Sequence, residues 1–158
     1  MNYYPAINDV INRLKNFANI PITQKDNTIC VEAKDDNGFR VELIDNSKGF
    51  TLYCDGWFDE QLFDFKEAAR IFVGSLTTAA RLWVKEKNQK RYWFVLEFCL
   101  KSHWRSFRLS TFYPKFYSFW KKKREYYLQN DWIDIDKFKP WIGEHLTGEK
   151  IEKMSKET

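Results

Sequence analysis

The stretch TICVEAKDDNGFRVELIDNSKGFTLYCD, residues 28–55, decides the fold. Its first run, residues 28–34, alternates, with Ile29, Val31 and Ala33 on one face. Asp36-Asn37-Gly38 follows, and Asn-Gly between two alternating runs is the strongest short hairpin signal. Residues 39–45 alternate again through Phe39, Val41 and Leu43. Asn46-Ser47-Lys48-Gly49 makes a second turn, and residues 50–55 send Phe50, Leu52 and Cys54 inward. Period-two patterning with one apolar face predicts an antiparallel meander. Its apolar face needs a covering layer, and helices on either side supply one.

Upstream, residues 5–18 place Ile7, Val10, Ile11, Leu14 and Phe17 on one helical face. Pro5 suits the first turn, and Ile20-Pro21-Ile22 is read as the end of this helix. Downstream, Asp64 and Glu67 stand in capping-box relation before Phe65, Ala68, Ala69, Phe72, Val73 and Leu76. Two continuations fit: one helix running to about Lys87, or a stop near Leu76 with a strand from Ala80. The strand is preferred, because Leu82-Trp83-Val84 is strand-favouring and Lys87-Asn88-Gln89-Lys90 reads as a hairpin turn.

Residues 91–101 carry apolar side chains on both faces, which predicts a central strand. Residues 104–112 make a sixth strand. Pro114 opens a predicted last helix to about Gln129, with Phe116, Phe119, Trp120 and Tyr127 on one face. Residues 131–142 read as irregular or as a short helical turn. The expected fold is α+β in the order α-βββ-α-βββ-α, helices packed on an antiparallel sheet. Residues 1–147 form one domain, followed by a polar, frayed tail at 148–158. The order of the first five elements loosely resembles small secretion chaperones, a likeness of topology that implies no function.

The chain has 158 residues, enough to bury a core without disulfides or structural metal. No run of about 18 apolar residues predicts a membrane span, and Met1-Asn2-Tyr3-Tyr4-Pro5 lacks the pattern of a secretory signal. Cys30, Cys54 and Cys99 are odd in number and sit in strand-like runs, which predicts reduced core thiols in a cytoplasmic protein. Lys (18) outnumbers Arg (8) and Phe and Tyr abound, a drift that an A- and T-rich genome produces by itself.

The net charge of +4 conceals a strong asymmetry. Residues 1–79 hold 8 basic and 12 acidic side chains, and residues 125–158 hold 5 and 8. Residues 80–124 hold 13 basic side chains against Glu86 and Glu97. The same block carries 13 of the 29 aromatic residues. Lys and Arg neutralise phosphates, and exposed rings stack on unpaired bases. Arg81, Lys85, Arg105 and Arg108 are expected to project from one sheet face, and Lys121, Lys122, Lys123 and Arg124 from the last helix. The competing reading is that most of these rings are core, and that the lysine and arginine stems merely cover apolar surface.

Catalytic signals are weaker. Asp55, Asp59, Glu60 and Asp64 cluster before the second helix and suit a divalent metal or acid–base work, though carboxylates there also cap the helix. Asp131, Asp134 and Asp136 lack the Gly and distal Glu of a calcium loop. His103 lies at a bend between strands, and His145 near the tail. No phosphate-binding Gly loop or nucleophile elbow is present. The expectation is a non-catalytic binding module that uses its basic, aromatic block on an acidic partner, nucleic acid or protein. No cofactor is expected. The alternatives are a homodimerising protein–protein module, and a metal-dependent enzyme built on the carboxylates of residues 55–64.

Overall fold

The computed structural model describes residues 4–17, 19–46, 48–62, 64–100, 102–111, 123–134, 136 and 137. The described residues form two antiparallel sheets and two helices. Helix α1 spans Pro5–Leu14 and α2 spans Phe65–Gly74. The first sheet is a five-strand meander of β1 (Ile22–Lys25), β2 (Thr28–Val31), β3 (Val41–Asn46), β4 (Gly49–Cys54) and β5 (Trp57–Leu62). The second has the order β8-β7-β6-β9, from β6 (Ala80–Lys87), β7 (Lys90–Leu100), β8 (His103–Thr111) and β9 (Lys123–Leu128). Among the described residues, no helix is long and apolar enough to cross a membrane.

The α+β character and the antiparallel pairing agree with the sequence reading, but the element order differs from it. Helix α1 stops at Leu14, and Ile22, read as part of its terminator, opens a strand instead. Strand β1 pairs with β2 through a turn at Asp26-Asn27, with Asp26 at φ 49°. Strand β5 follows β4 across Asp55-Gly56, where Asp55 has φ 50°. The predicted last helix is contradicted at its C-terminal end. Residues 123–128 form β9, antiparallel to β6, and the rest of its core, residues 114–122, lies outside the described residues. Within β9, Leu128 is buried and Tyr127 half exposed, so period two replaces the helical spacing. The tail at 148–158 lies outside the described residues as well.

The Asn37-Gly38 signal marks a turn but not a tight hairpin. Strand β2 ends at Val31 and β3 begins at Val41. The intervening loop is held from outside: Asn37 O accepts from Gln129 N at 2.7 Å, and Phe39 is buried against Asn130. Tertiary bonds have overridden the local hairpin preference here.

Asp64 caps helix α2, its Oδ1 accepting from Lys66 N at 2.8 Å. Helix α1 has no side-chain cap of its own. Asp45 of β3 acts instead, its Oδ2 accepting from Ala6 N at 3.3 Å. Both helices lie on the first sheet. Ala6, Ile7, Val10 and Leu14 of α1 and Ala68, Phe72 and Val73 of α2 join Val41, Leu43, Leu52 and Cys54 in one buried cluster. The same cluster takes in Leu82, Val84, Leu96 and Phe107 of the second sheet.

The two sheets meet at the Asp55-Gly56 turn and at Trp57. The Trp57 and Phe107 ring centroids are 6.1 Å apart, and Phe107 meets Phe98 edge-on at 5.9 Å. Gly56 lies so close to Phe94 that a Cβ there would come within 2.2 Å of the ring. Asp55 closes the junction: Oδ1 accepts from Arg40 N at 3.0 Å, and Oδ2 from Arg91 at 2.9 Å.

Candidate functional site

Strand β6 sits inside the second sheet, between β7 and β9. Its alternation is regular: Ala80, Leu82 and Val84 are buried, while Arg81, Trp83 and Lys85 are half-buried on the opposite face. That opposite face is a ladder of rings and cations. Arg81 lies 4.1 Å from the Trp104 ring centroid and 3.9 Å from that of Tyr127. Its Nε donates to Glu97 Oε2 at 2.7 Å. Tyr127 stacks on Trp83 at 6.2 Å with 26° between planes. Lys85 Nζ is 4.6 Å from the Trp83 ring and 5.1 Å from that of Trp93, with Glu125 at 3.4 Å. Each cation–ring contact contributes about 0.5–2 kcal/mol, more where water is excluded. Arg81 and Lys85 therefore share a face as expected, but both are already engaged within the fold.

The other expected cations divide. Arg105 pairs in register with Phe98 and so lies on the core-facing side of the sheet, exposed at its margin, away from Arg81. The backbone of Arg108 is in β8, and its side chain lies outside the described residues, as do Lys121 and Lys122. Lys123 and Arg124 are exposed, on a strand and not on a helix.

That strand assembles a cluster that the sequence reading missed. Lys90, Lys87 and Lys123 stand side by side on β7, β6 and β9. In the next row Arg91, Glu86 and Arg124 align, and in the third Trp93, Lys85 and Glu125. The β6–β7 turn that brings Lys87 opposite Lys90 has Asn88 and Gln89 at φ 53° and 60°, the double left-handed geometry of a tight hairpin. Lys87 and Lys90 flank a recognisable turn, so their pairing was readable. Lys123 joins them only because β9 is a strand.

Arg91 has a different task. Its Nε donates to Tyr126 Oη at 2.8 Å, while Tyr126 donates to Glu86 at 3.2 Å. With the bond to Asp55, this chain ties the hairpin to the first sheet. Burial pushes the Tyr126 hydroxyl up from its usual range, against the pull of Arg91.

Of the carboxylates of residues 55–64, Asp55, Asp59 and Asp64 do not converge. Asp55 holds the inter-sheet turn, Asp59 is buried on β5, Asp64 caps α2, and the Glu60 side chain lies outside the described residues. Asp131 pairs with Lys34 at 3.0 Å, and Asp134 accepts from Asp136 N at 2.9 Å in a local turn. Among the described residues, no group of three or more His, Cys, Asp or Glu is placed to hold a metal ion. His103 is exposed at the start of β8, and His145 lies outside the described residues.

The three cysteines are thiols. Complete burial pushes Cys54 far up from the ordinary thiol range. Burial also raises Cys30, whose sulfur accepts from Arg40 Nε at 3.0 Å. Neither has the depressed, exposed character of a nucleophile. A cleft of about 310 Å³ on the outer face of the first sheet is lined by Arg40, Glu42, Ile44, Tyr53 and Asp55. Its arginine is already engaged by Glu32 and Glu42, which leaves the cleft little attraction for an anion.

Comparison of the chain with protein-family models, with curated proteins and with solved structures returns no match.

Proposed function

We propose that the chain is a non-catalytic binding module whose second sheet engages an acidic partner, nucleic acid or protein, at the β6–β7 hairpin end. The observation that carries this reading is the row Lys90–Lys87–Lys123. Like charges directly opposite on neighbouring strands destabilise a sheet. Three in a row concentrate positive charge on one face at the hairpin end, where a polyanion would dock. The charge excess of residues 80–124 supports the same reading. Arg81 and Lys85 serve here by fixing the ring ladder that adjoins the lysines. The reading treats residues 1–147 as one domain and places it in the cytoplasm, in keeping with three unpaired thiols.

Heparin binding across a salt series tests it. The wild-type chain is expected to bind at low ionic strength, with log affinity falling linearly against log salt. Lys87→Glu with Lys123→Glu is expected to abolish most of that binding. A wild-type chain that ignores heparin at low salt overturns the proposal.

A second reading, a homodimer, draws on one observation. Strand β1 forms an edge of the first sheet, all four of its residues are exposed, and Ile22 is among them. Such an edge is a template for strand addition. A mass of one chain by light scattering at high concentration would remove this reading.

A further inference from the structure

We infer that the acidic partner is single-stranded nucleic acid and that Tyr127 is the ring on which one of its bases stacks. The inference rests on the reading of the second sheet as a polyanion site and narrows it to one class.

Tyr127 is half exposed, at 50%, yet its ring is held in place. The Arg81 guanidinium lies 3.9 Å from its centroid, and Trp83 stacks beside it. Arg81 is in turn held by Glu97, itself buried, and by Trp104. An exposed aromatic ring held by Arg81 and Trp83 pays little ordering entropy when a second ring lies on it. Large exposed aromatics are few among the described residues, and this one shares a sheet face with the lysine row, the Lys85–Glu125 pair lying between them.

The geometry links the ring to the charges. Tyr127 and Lys123 lie on the same strand four positions apart, about 13 Å at the strand rise. Tyr127 pairs with Trp83, Glu125 with Lys85, and Lys123 with Lys87. A strand laid along β9 would meet a ring at one end and cations at the other. Single strands are recognised by this pairing, bases on rings and phosphates on lysines. A duplex hides the faces of its bases and gains nothing from Tyr127. An acidic peptide would use the lysines alone.

Fluorescence anisotropy with four probes tests the inference. These are an oligothymidylate of about twenty nucleotides, longer than the ~4–16 that one fold covers, a duplex of equal length, heparin and polyglutamate. The single strand is expected to bind about tenfold more tightly than the duplex. Tyr127→Leu is expected to cost about tenfold on the single strand and nothing on heparin, while Tyr127→Phe keeps wild-type affinity. Thermal melting of Tyr127→Leu checks that the variant is folded, and Tyr127→Ser replaces it if it is not. Equal binding of single strand and duplex overturns the inference, as does equal loss on oligothymidylate and heparin. Tighter binding of polyglutamate also overturns it, in favour of an acidic protein. In those cases the polyanion site stands. If none of the four probes binds at low salt, the underlying reading fails as well.

Discussion

Asn130 and Phe39, 91 positions apart in the chain, exchange two hydrogen bonds: Phe39 N donates to Asn130 Oδ1 at 3.1 Å, and Asn130 Nδ2 donates to Phe39 O at 2.9 Å. The same Nδ2 donates to Ser75 O at 2.9 Å, where α2 ends. Asn130 is 1% exposed, so one buried amide joins the 32–40 loop, the end of α2 and the segment after β9. Asn130→Ala would leave three buried backbone groups without a partner. Each costs about 1–3 kcal/mol unmade, with partial relief by water. The expected loss is about 3 kcal/mol, read as a lower urea midpoint at unchanged slope. A shift that corresponds to under about 0.5 kcal/mol, the scale of ordinary surface substitutions, would show that the amide is not structural.

Gly56 is required by Phe94 rather than by its own backbone. A Cβ at position 56 would lie 2.2 Å from the Phe94 ring, and that ring belongs to the core. Gly56→Ala is expected to cost about 1–3 kcal/mol by overpacking. Phe94→Leu alone also destabilises, but the double variant should be more stable than the two losses added together. Strict additivity would contradict the assigned contact.

Asp45 makes stability depend on pH in a direction opposite to most carboxylates. Burial raises its carboxyl above the ordinary value, while the bond from Ala6 N pulls it down by a smaller amount. A raised folded-state value means that its stabilising contribution is complete below the unfolded value, near 3.9. That contribution is lost as pH rises through the folded value. Asp45→Asn keeps an acceptor for Ala6 N and removes the charge. Relative to this variant, the wild-type chain is expected to gain stability as pH falls from neutrality toward 4. Denaturation at several pH values reads the difference, and a constant gap across the range would contradict it.

How much of this was legible in the sequence depends on the range of the interactions. The faces of β2, β3 and β4, the Asp64 cap and the strand at Ala80 follow from period and local chemistry, and the structure has them. Asp55-Gly56 carries the same kind of hairpin signal as Asn37-Gly38, but its carboxylates drew the reading toward chemistry and β5 was missed. Asn37-Gly38 misled in the opposite sense, because Gln129 and Asn130 hold the loop open from far along the chain. Strand β9 was least legible. Lys123–Leu128 has only Tyr126 and Leu128 to mark an inner face, and neighbouring aromatics impose a helical spacing. The candidate site suffered with it, since the lysine row exists only once β9 pairs with β6.

The lysine row yields a last prediction in which stability and binding move in opposite directions. Lys123 stands opposite Lys87, which stands opposite Lys90. Replacing Lys123 with Glu turns one repulsive cross-strand pair into an attractive one. Such pairs are worth about 0.2–1 kcal/mol, so Lys123→Glu should melt slightly above the wild-type chain. The same change removes one cation and adds an anion where a polyanion is proposed to dock. Heparin affinity should fall, and the slope of log affinity against log salt should flatten by about 1–2. A residue present only for folding would not show this pattern, because its best replacement for stability would carry no penalty in binding. Lys90→Glu offers the same test from the other side of the row. A variant that gains stability with heparin binding intact would show that the row is tolerated rather than used.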